Sequence, residues 1–230
     1  MPLCETEYER AFRVNCIAIR NLARACEKIG ALFVTFSTDY VFSGKKRTPY
    51  VEDDKPSPLQ IYGITRLAGE LAAIAVAPER TVIIRTCGLY GELGARSRGG
   101  NFVDKRIHDA RYNDSIEMSC DQTVCPTYTE DLSKAVLQLI TTEKVSSGIY
   151  HLVNEGECSW YEFTKAIYEL MGLTIEVRPV DRKGLSGEMR RPLYSVLANT
   201  KARAMGIILP YWHDALKRCL KRRYMSGNTL

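Results

Sequence analysis

A chain of 230 residues with 45% hydrophobic and 26% charged residues can bury a core without help from disulfides or metals. Its formal charge of +5 is mild and no nucleic-acid motif accompanies it, so nucleic acid is not an expected partner. No apolar run reaches the ~18 residues of a membrane helix, and the opening Met1-Pro2-Leu3-Cys4-Glu5 lacks the basic-then-apolar order of a secretion signal.

In chain order, residues 6–29 read as one long helix. Phe12, Cys16, Ile19, Ala23 and Cys26 recur at helical spacing, Val14, Ile17 and Leu22 widen the apolar face, and Gly30 ends the helix. The apolar run at 31–36 suits a strand buried on both faces of a parallel sheet. A polar loop over 43–58 leads to a helix at 59–76 and a second buried strand at 81–84. Helical character returns at 101–112, and a short strand is expected at 115–119. An amphipathic helix is expected at 130–142 with Thr129 as its N-cap, then a strand at 149–153. Ser159 caps a helix that runs to Met171 and stops at Gly172; a strand at 175–179 and helices at 198–205 and 211–222 complete the chain. Alternating strands and helices indicate an α/β, doubly wound parallel sheet, with the later segments in a smaller interleaved lobe.

Eight cysteines (Cys4, Cys16, Cys26, Cys87, Cys120, Cys125, Cys158 and Cys219) form no C-x-x-C pair and lie far in sequence from His108, His151 and His213, so no metal site is expected. Buried free thiols without an export signal imply a reducing, cytoplasmic setting. Positive charge gathers at Arg182, Lys183, Arg190 and Arg191, and again at Lys217, Arg218, Lys221, Arg222 and Arg223. Each run reads either as a solvated face or tail, or as an electropositive rim facing a diphosphate.

Three segments carry the chemistry. Ser37-Thr38-Asp39-Tyr40-Val41-Phe42 follows a buried strand, where open α/β sheets place their ligand crevice. Tyr62 and Arg66, four apart at the start of the next helix, share one helical face. Arg85-Thr86-Cys87-Gly88-Leu89-Tyr90-Gly91 follows the next strand. A hydroxyl, a phenol and a cation around one crevice suit carbonyl reduction. The cation lowers the phenol's pKa, the phenol hands a proton to the carbonyl oxygen, and the hydroxyl holds that oxygen. Taken alone, Y-x-x-x-R is also met by an amphipathic helix start with a surface arginine.

The combination of STDYVF, Pro49-Tyr50-Val51-Glu52, Pro58, Tyr62-Gly63, Gly69-Glu70, RTCGLYG, Asn101-Phe102-Val103, Asp121-Gln122, Pro126-Thr127-Tyr128, Ser159-Trp160-Tyr161-Glu162-Phe163 and Arg191-Pro192 resembles the dTDP-4-dehydrorhamnose reductase family, sugar-nucleotide reductases of the extended short-chain dehydrogenase/reductase kind. The resemblance covers nearly the whole chain in the family's order. It implies NAD(P)H-dependent reduction of a 4-keto nucleotide sugar, in dTDP-rhamnose biosynthesis. By this resemblance Thr38, Tyr62 and Arg66 are the catalytic positions, and Tyr62, Arg66 and Thr86 meet the NADP or NAD cofactor. Asp39, Tyr40, Asn101, Phe102, Gln122 and Thr127 shape the nucleotide-sugar pocket. Residues 1–93 and 127–154 would form a partial Rossmann-type domain lacking its first strands, and 94–126 and 155–230 the substrate-binding lobe.

The chain departs from the family pattern in three ways. No G-x-x-G-x-x-G, the turn that brings a helix N-terminus to the cofactor pyrophosphate, is present, and the glycines at 94–100 follow the wrong strand. The chain reads as starting roughly 70 residues into the family's layout, after its fourth strand. Poor cofactor binding is expected, and an exposed strand edge that leads to self-association, a homo-oligomer among its forms, or to marginal stability. Arg66 stands where the family has lysine, keeping the charge on a bulkier fork. Gly88 replaces a frequent tryptophan, and Val124 a frequent glycine. Arg66 and the absent glycine turn favour a non-catalytic, sugar-nucleotide-binding or regulatory member of the fold; intact Thr38 and Tyr62 favour a reductase. A related epimerase or dehydratase is the third reading.

Overall fold

The structure, a computed structural model, describes residues 2–94, 100–142, 145–183, 185–186 and 189–225. The stretch expected as one helix is three pieces around a wide turn. Helices α1 (Pro2–Thr6) and α2 (Tyr8–Phe12) pass through a π-helical turn at Arg13–Ile17 into α3 (Ala18–Lys28). The broad buried face predicted there is narrow. Ala23 is fully buried and Cys16, Ile19 and Cys26 partly so, whereas Phe12, Val14, Ile17 and Leu22 are exposed. This segment packs on one side only, against α4 (Ile61–Val76) and β1 (Phe33–Thr38), and no described residue covers its other side. The contact is close: a Cβ at Gly69 of α4 would collide with the Asn15 carbonyl oxygen, and Asn15 Nδ2 donates to Thr65 Oγ1 at 3.1 Å.

Strand β1 is followed by a 3₁₀ turn (Asp39–Val41), α4 and then β2 (Thr81–Thr86), which pairs in parallel with β1 from Phe33↔Thr81 to Thr38↔Thr86. Next come β3 (Leu89–Tyr90), α5 (Phe102–Asp109), β4 (Ser115–Ser119), β5 (Thr123–Val124), β6 (Thr127–Tyr128), α6 (Thr129–Thr141) and β7 (Gly148–His151). Strand β7 completes the three-stranded parallel sheet in the order β1-β2-β7. Val82, Ile83 and Ile84 of the central strand are wholly buried, as a strand covered on both faces requires. Among the described residues no strand pairs with the outer edge of β1, and the expectation that this strand is buried on both faces is corrected: Phe33, Thr35 and Ser37 are buried on one face, whereas Phe36 on the other is 44% exposed. Tyr128 takes the N-cap position of α6 without a side-chain cap, so Thr129 is its first residue rather than the predicted cap.

The chain continues through β8 (Cys158–Ser159), α7 (Trp160–Met171), β9 (Glu176–Val180), β10 (Leu185–Ser186), β11 (Met189–Arg190), α8 (Thr200–Ala204) and α9 (Trp212–Leu220). Helix α7 opens with a reciprocal cap between Ser159 and Glu162 and closes at the left-handed Gly172, as the sequence predicts. A core of Phe163, Ile167, Trp212 and Leu216 joins α7 and α9 to α5, and β4 pairs in parallel with β9. No helix among the described residues is long and apolar enough to cross a membrane, and no acidic, cysteine and histidine cluster there could hold a metal.

Histidine 151, fully buried at the end of β7, ties the sheet to the polar loop. Its Nδ1 lies 3.1 Å from the Tyr50 carbonyl oxygen and so carries the proton that it donates; Nε2 is buried without a hydrogen-bond partner. Burial, and then the positive charge of Arg85, push its pKa from 6.5 down to about 3. Between those values the unfolded chain binds a proton that the folded chain refuses, so stability falls as pH drops through this window. The limit is roughly 5 kcal/mol at ~1.4 kcal/mol per pH unit. Replacing His151 with Gln is expected to flatten the acid side of a urea-denaturation profile between about pH 6.5 and 4. An unchanged slope would count against His151 as the group responsible.

Candidate functional site

The carboxyl ends of β1 and β2 open into a crevice of about 820 Å³. Thr38, the last residue of β1, is buried; its Oγ1 accepts the Tyr40 N–H at 3.2 Å and donates to Asp39 Oδ1 at 3.0 Å. The other oxygen of Asp39 accepts from Ser195 Oγ at 2.6 Å and Cys87 Sγ at 3.2 Å. Burial raises the Asp39 pKa in spite of these three donors. The loop after β1 is thus pinned by a carboxylate turned into the protein.

Tyr62 sits in the first turn of α4. The free N–H groups of Ile61 and Tyr62 are taken by the two oxygens of Glu5, at 3.1 and 3.2 Å, so the first helix of the chain positions the tyrosine. Gly63 follows because a Cβ there would run into the Tyr40 carbonyl oxygen. The rings of Tyr40 and Tyr62 meet edge-on, with centroids 6.0 Å apart. The Arg66 charge acts to lower the Tyr62 pKa, as expected, but the net shift is upward: burial dominates, against the opposing effects of that charge and a hydrogen bond with Thr38. At neutral pH the phenol therefore keeps its proton.

Thr38, Asp39, Tyr40, Tyr62, Thr86, Asn101, Phe102 and Gln122 all line this one crevice. Two other predicted residues do not. Arg66, one turn along α4, is half-buried outside the lining, and its Nε is buried without a hydrogen-bond partner. Thr127 is fully buried: its hydroxyl donates to the Cys125 carbonyl at 3.1 Å and accepts the Asn154 N–H at 3.3 Å. The amide of Asn101 caps α5, accepting from the Asp104 N–H at 3.1 Å and donating to the Gly91 carbonyl at 2.6 Å. Thr86 contributes a buried hydroxyl without a hydrogen-bond partner.

The structure adds residues whose roles were not read from the sequence: Cys87 and Ser195 hold Asp39, Trp160 packs against Phe102 with ring centroids 4.6 Å apart, and Lys105 brings positive charge to the wall. Arg182 and Arg191, from the basic run expected as a possible rim, line the same crevice. Cys87 lies in a loop already marked by its motif. Ser195 is 156 residues from Asp39, and no local pattern pairs them.

A parallel sheet with a polar crevice at its strand ends defines a Rossmann-type α/β protein. The model of the RmlD substrate binding domain matches residues 2–225, and the chain belongs to that family. The spore coat polysaccharide biosynthesis protein SpsK of Bacillus subtilis is 38% identical over 220 residues, covering 96% of this chain and 75% of that protein. The dTDP-4-dehydrorhamnose reductase of Sinorhizobium fredii is 35% identical, covering 97% and 77%. Among solved structures, the dTDP-4-dehydrorhamnose reductase of Bacillus anthracis in complex with NADP superposes with a TM-score of 0.88 at 34% identity, covering 95% of this chain and 75% of that one.

Proposed function

We propose that the chain reduces a 4-keto nucleotide sugar with NAD(P)H, as the dTDP-4-dehydrorhamnose reductases it resembles are named for doing in dTDP-sugar metabolism. The observation that carries this reading is the convergence of the Thr38 hydroxyl and the Tyr62 phenol on one crevice, with Arg66 one helical turn from the phenol. The reactive end of a nicotinamide cofactor fits this place: Thr86 Oγ1, in the lining, is a buried polar atom lacking a protein partner. When bound, the cofactor supplies hydride to the carbonyl carbon. Tyr62, kept protonated by burial, gives its proton to the carbonyl oxygen. Thr38, fixed by Tyr40 and Asp39, holds the phenol in place. Lys105 and Arg182 offer charge to a diphosphate, and the Phe102–Trp160 pair gives a base a flat wall.

The family's domain division, with 1–93 and 127–154 in the Rossmann-type part and 94–126 and 155–230 in the substrate lobe, is part of this proposal. So is a cytoplasmic setting, which the eight unpaired cysteines favour. Exposed Val14, Ile17, Leu22 and Phe36 favour a homo-oligomer.

The test is NADPH oxidation by the 230-residue chain with a dTDP-4-keto-6-deoxyhexose. Turnover that saturates with NADPH is expected. Arg66 favours a second reading, a sugar-nucleotide-binding member without catalysis. Calorimetric binding of dTDP with no turnover at any NADPH concentration would establish that reading instead.

A further inference from the structure

The two basic runs of the sequence have different fates. In the C-terminal run, Arg218 is bound to Asp131 at 2.7 Å and Asp214 at 2.9 Å, Arg222 to Glu130, and Arg223 to Asp104 at 2.9 Å. Those charges fasten α9 and the turn after it to the body. In the other run Arg182 lies 3.9 Å from Glu117, and the side chains of the remaining three meet no carboxylate among the described residues. Lys183, Arg190 and Arg191 meet Lys45 and Arg47, from the loop after β1, around a second cavity of about 570 Å³. None of the five has an ion-pair partner among the described residues, although their neighbour Lys46 pairs with Asp54. Among the described residues no acidic side chain lines the cavity.

Five like charges around one hollow repel one another, and the repulsion is relieved when an anion enters. Arg191 points to a ligand more directly: its Nε is buried with no hydrogen-bond partner. The walls are held independently of that ligand. Gly44 packs on Pro192, and Lys46, between the two loop cations, is anchored to the Pro49 carbonyl at 3.2 Å as well as to Asp54. The volume lies within the ~300–1,000 Å³ usual for small-molecule sites. Three arginines supply the forked donors that match phosphoryl oxygens.

We propose that Lys45, Arg47, Lys183, Arg190 and Arg191 form a binding site for an anion with two or more phosphoryl groups, separate from the crevice at Thr38 and Tyr62. Arg191 lines both hollows, so it is the wall between them. The site does not depend on the catalytic reading. Its phosphoryl groups could belong to a free oligophosphate or to the nucleotide held in the crevice, and the proposal commits to the free anion.

The experiment is calorimetric titration of the 230-residue chain with inorganic pyrophosphate, alone and with excess dTDP. Saturable one-site binding is expected in both arms. The double variant Lys45→Ala/Arg47→Ala should weaken it by at least about tenfold, the scale of losing charge-assisted hydrogen bonds. Arg190→Ala, from the opposite wall, should weaken it separately. All three side chains are exposed, so unchanged melting temperatures are expected and confirm folded variants. Absence of saturable binding, loss of binding when dTDP is added, or full affinity in the folded variants would overturn the proposal.

Discussion

Glu70→Ala is expected to destabilise the fold by about 3–5 kcal/mol, the usual consequence of stranding one partner of a buried ion pair. Glu70 on α4 and Arg85 on β2 are each almost wholly buried and meet through two parallel hydrogen bonds, Nε to Oε1 at 3.0 Å and a terminal nitrogen to Oε2 at 2.6 Å. The guanidinium lies 5.1 Å from the centre of the Phe42 ring, and its other terminal nitrogen has no partner. Removing Glu70 leaves this cation desolvated with only a ring face beside it. For a chain of this size the loss corresponds to a fall in melting temperature of roughly 6–20 °C. Charge, rather than packing, is the cause if Glu70→Leu/Arg85→Met recovers most of the loss, because an apolar pair of similar volume needs no desolvation compensation. A Glu70→Ala protein within about 1 kcal/mol of the parent would show that the pair is not an element of stability.

The parts of the fold set by local periodicity were legible. The strands around 33–38 and 81–86, the cap at Ser159 and the stop at Gly172 rest on apolar runs and capping chemistry that a sequence displays. The first helix misled because periodicity reports which residues are apolar, and not whether anything covers them: Val14, Ile17 and Leu22 keep helical spacing on an uncovered side. The crevice was legible where its residues flank strand ends, as Thr38, Tyr62 and Thr86 do. It was illegible where it depends on distant contacts. Ser195 reaches Asp39 and Glu5 caps the helix of Tyr62 only after folding, and the burial that raises the Tyr62 pKa is a tertiary quantity with no trace in Y-x-x-x-R. The Arg85–Glu70 pair was hidden in the same way, since a charged residue inside a strand motif gives no sign of its partner.

Replacing Tyr62 with Phe is expected to lower the rate of NADPH oxidation on a 4-keto nucleotide sugar by at least about a hundredfold, or ~2.7 kcal/mol of barrier, the scale of losing a positioned general acid. The substitution removes one hydroxyl and leaves the ring, so the edge-on contact with Tyr40 at 6.0 Å and the Glu5 bonds to the helix start remain. A lost rate with an unchanged melting temperature therefore reports chemistry. Thr38→Val should cost less: it removes the acceptor of the Tyr40 N–H and one of three donors to Asp39, yet leaves the proton donor in place. Arg66→Lys should raise the rate, because a compact ammonium can serve the phenol and a cofactor ribose together, whereas the guanidinium fork positions less well. The four proteins are compared at one substrate concentration with NADPH in the millimolar range. If Tyr62→Phe turns over as the parent does, the proton comes from elsewhere and the catalytic assignment fails. A crevice that binds dTDP without using its phenol is then the better account of Thr38, Tyr62 and Arg66.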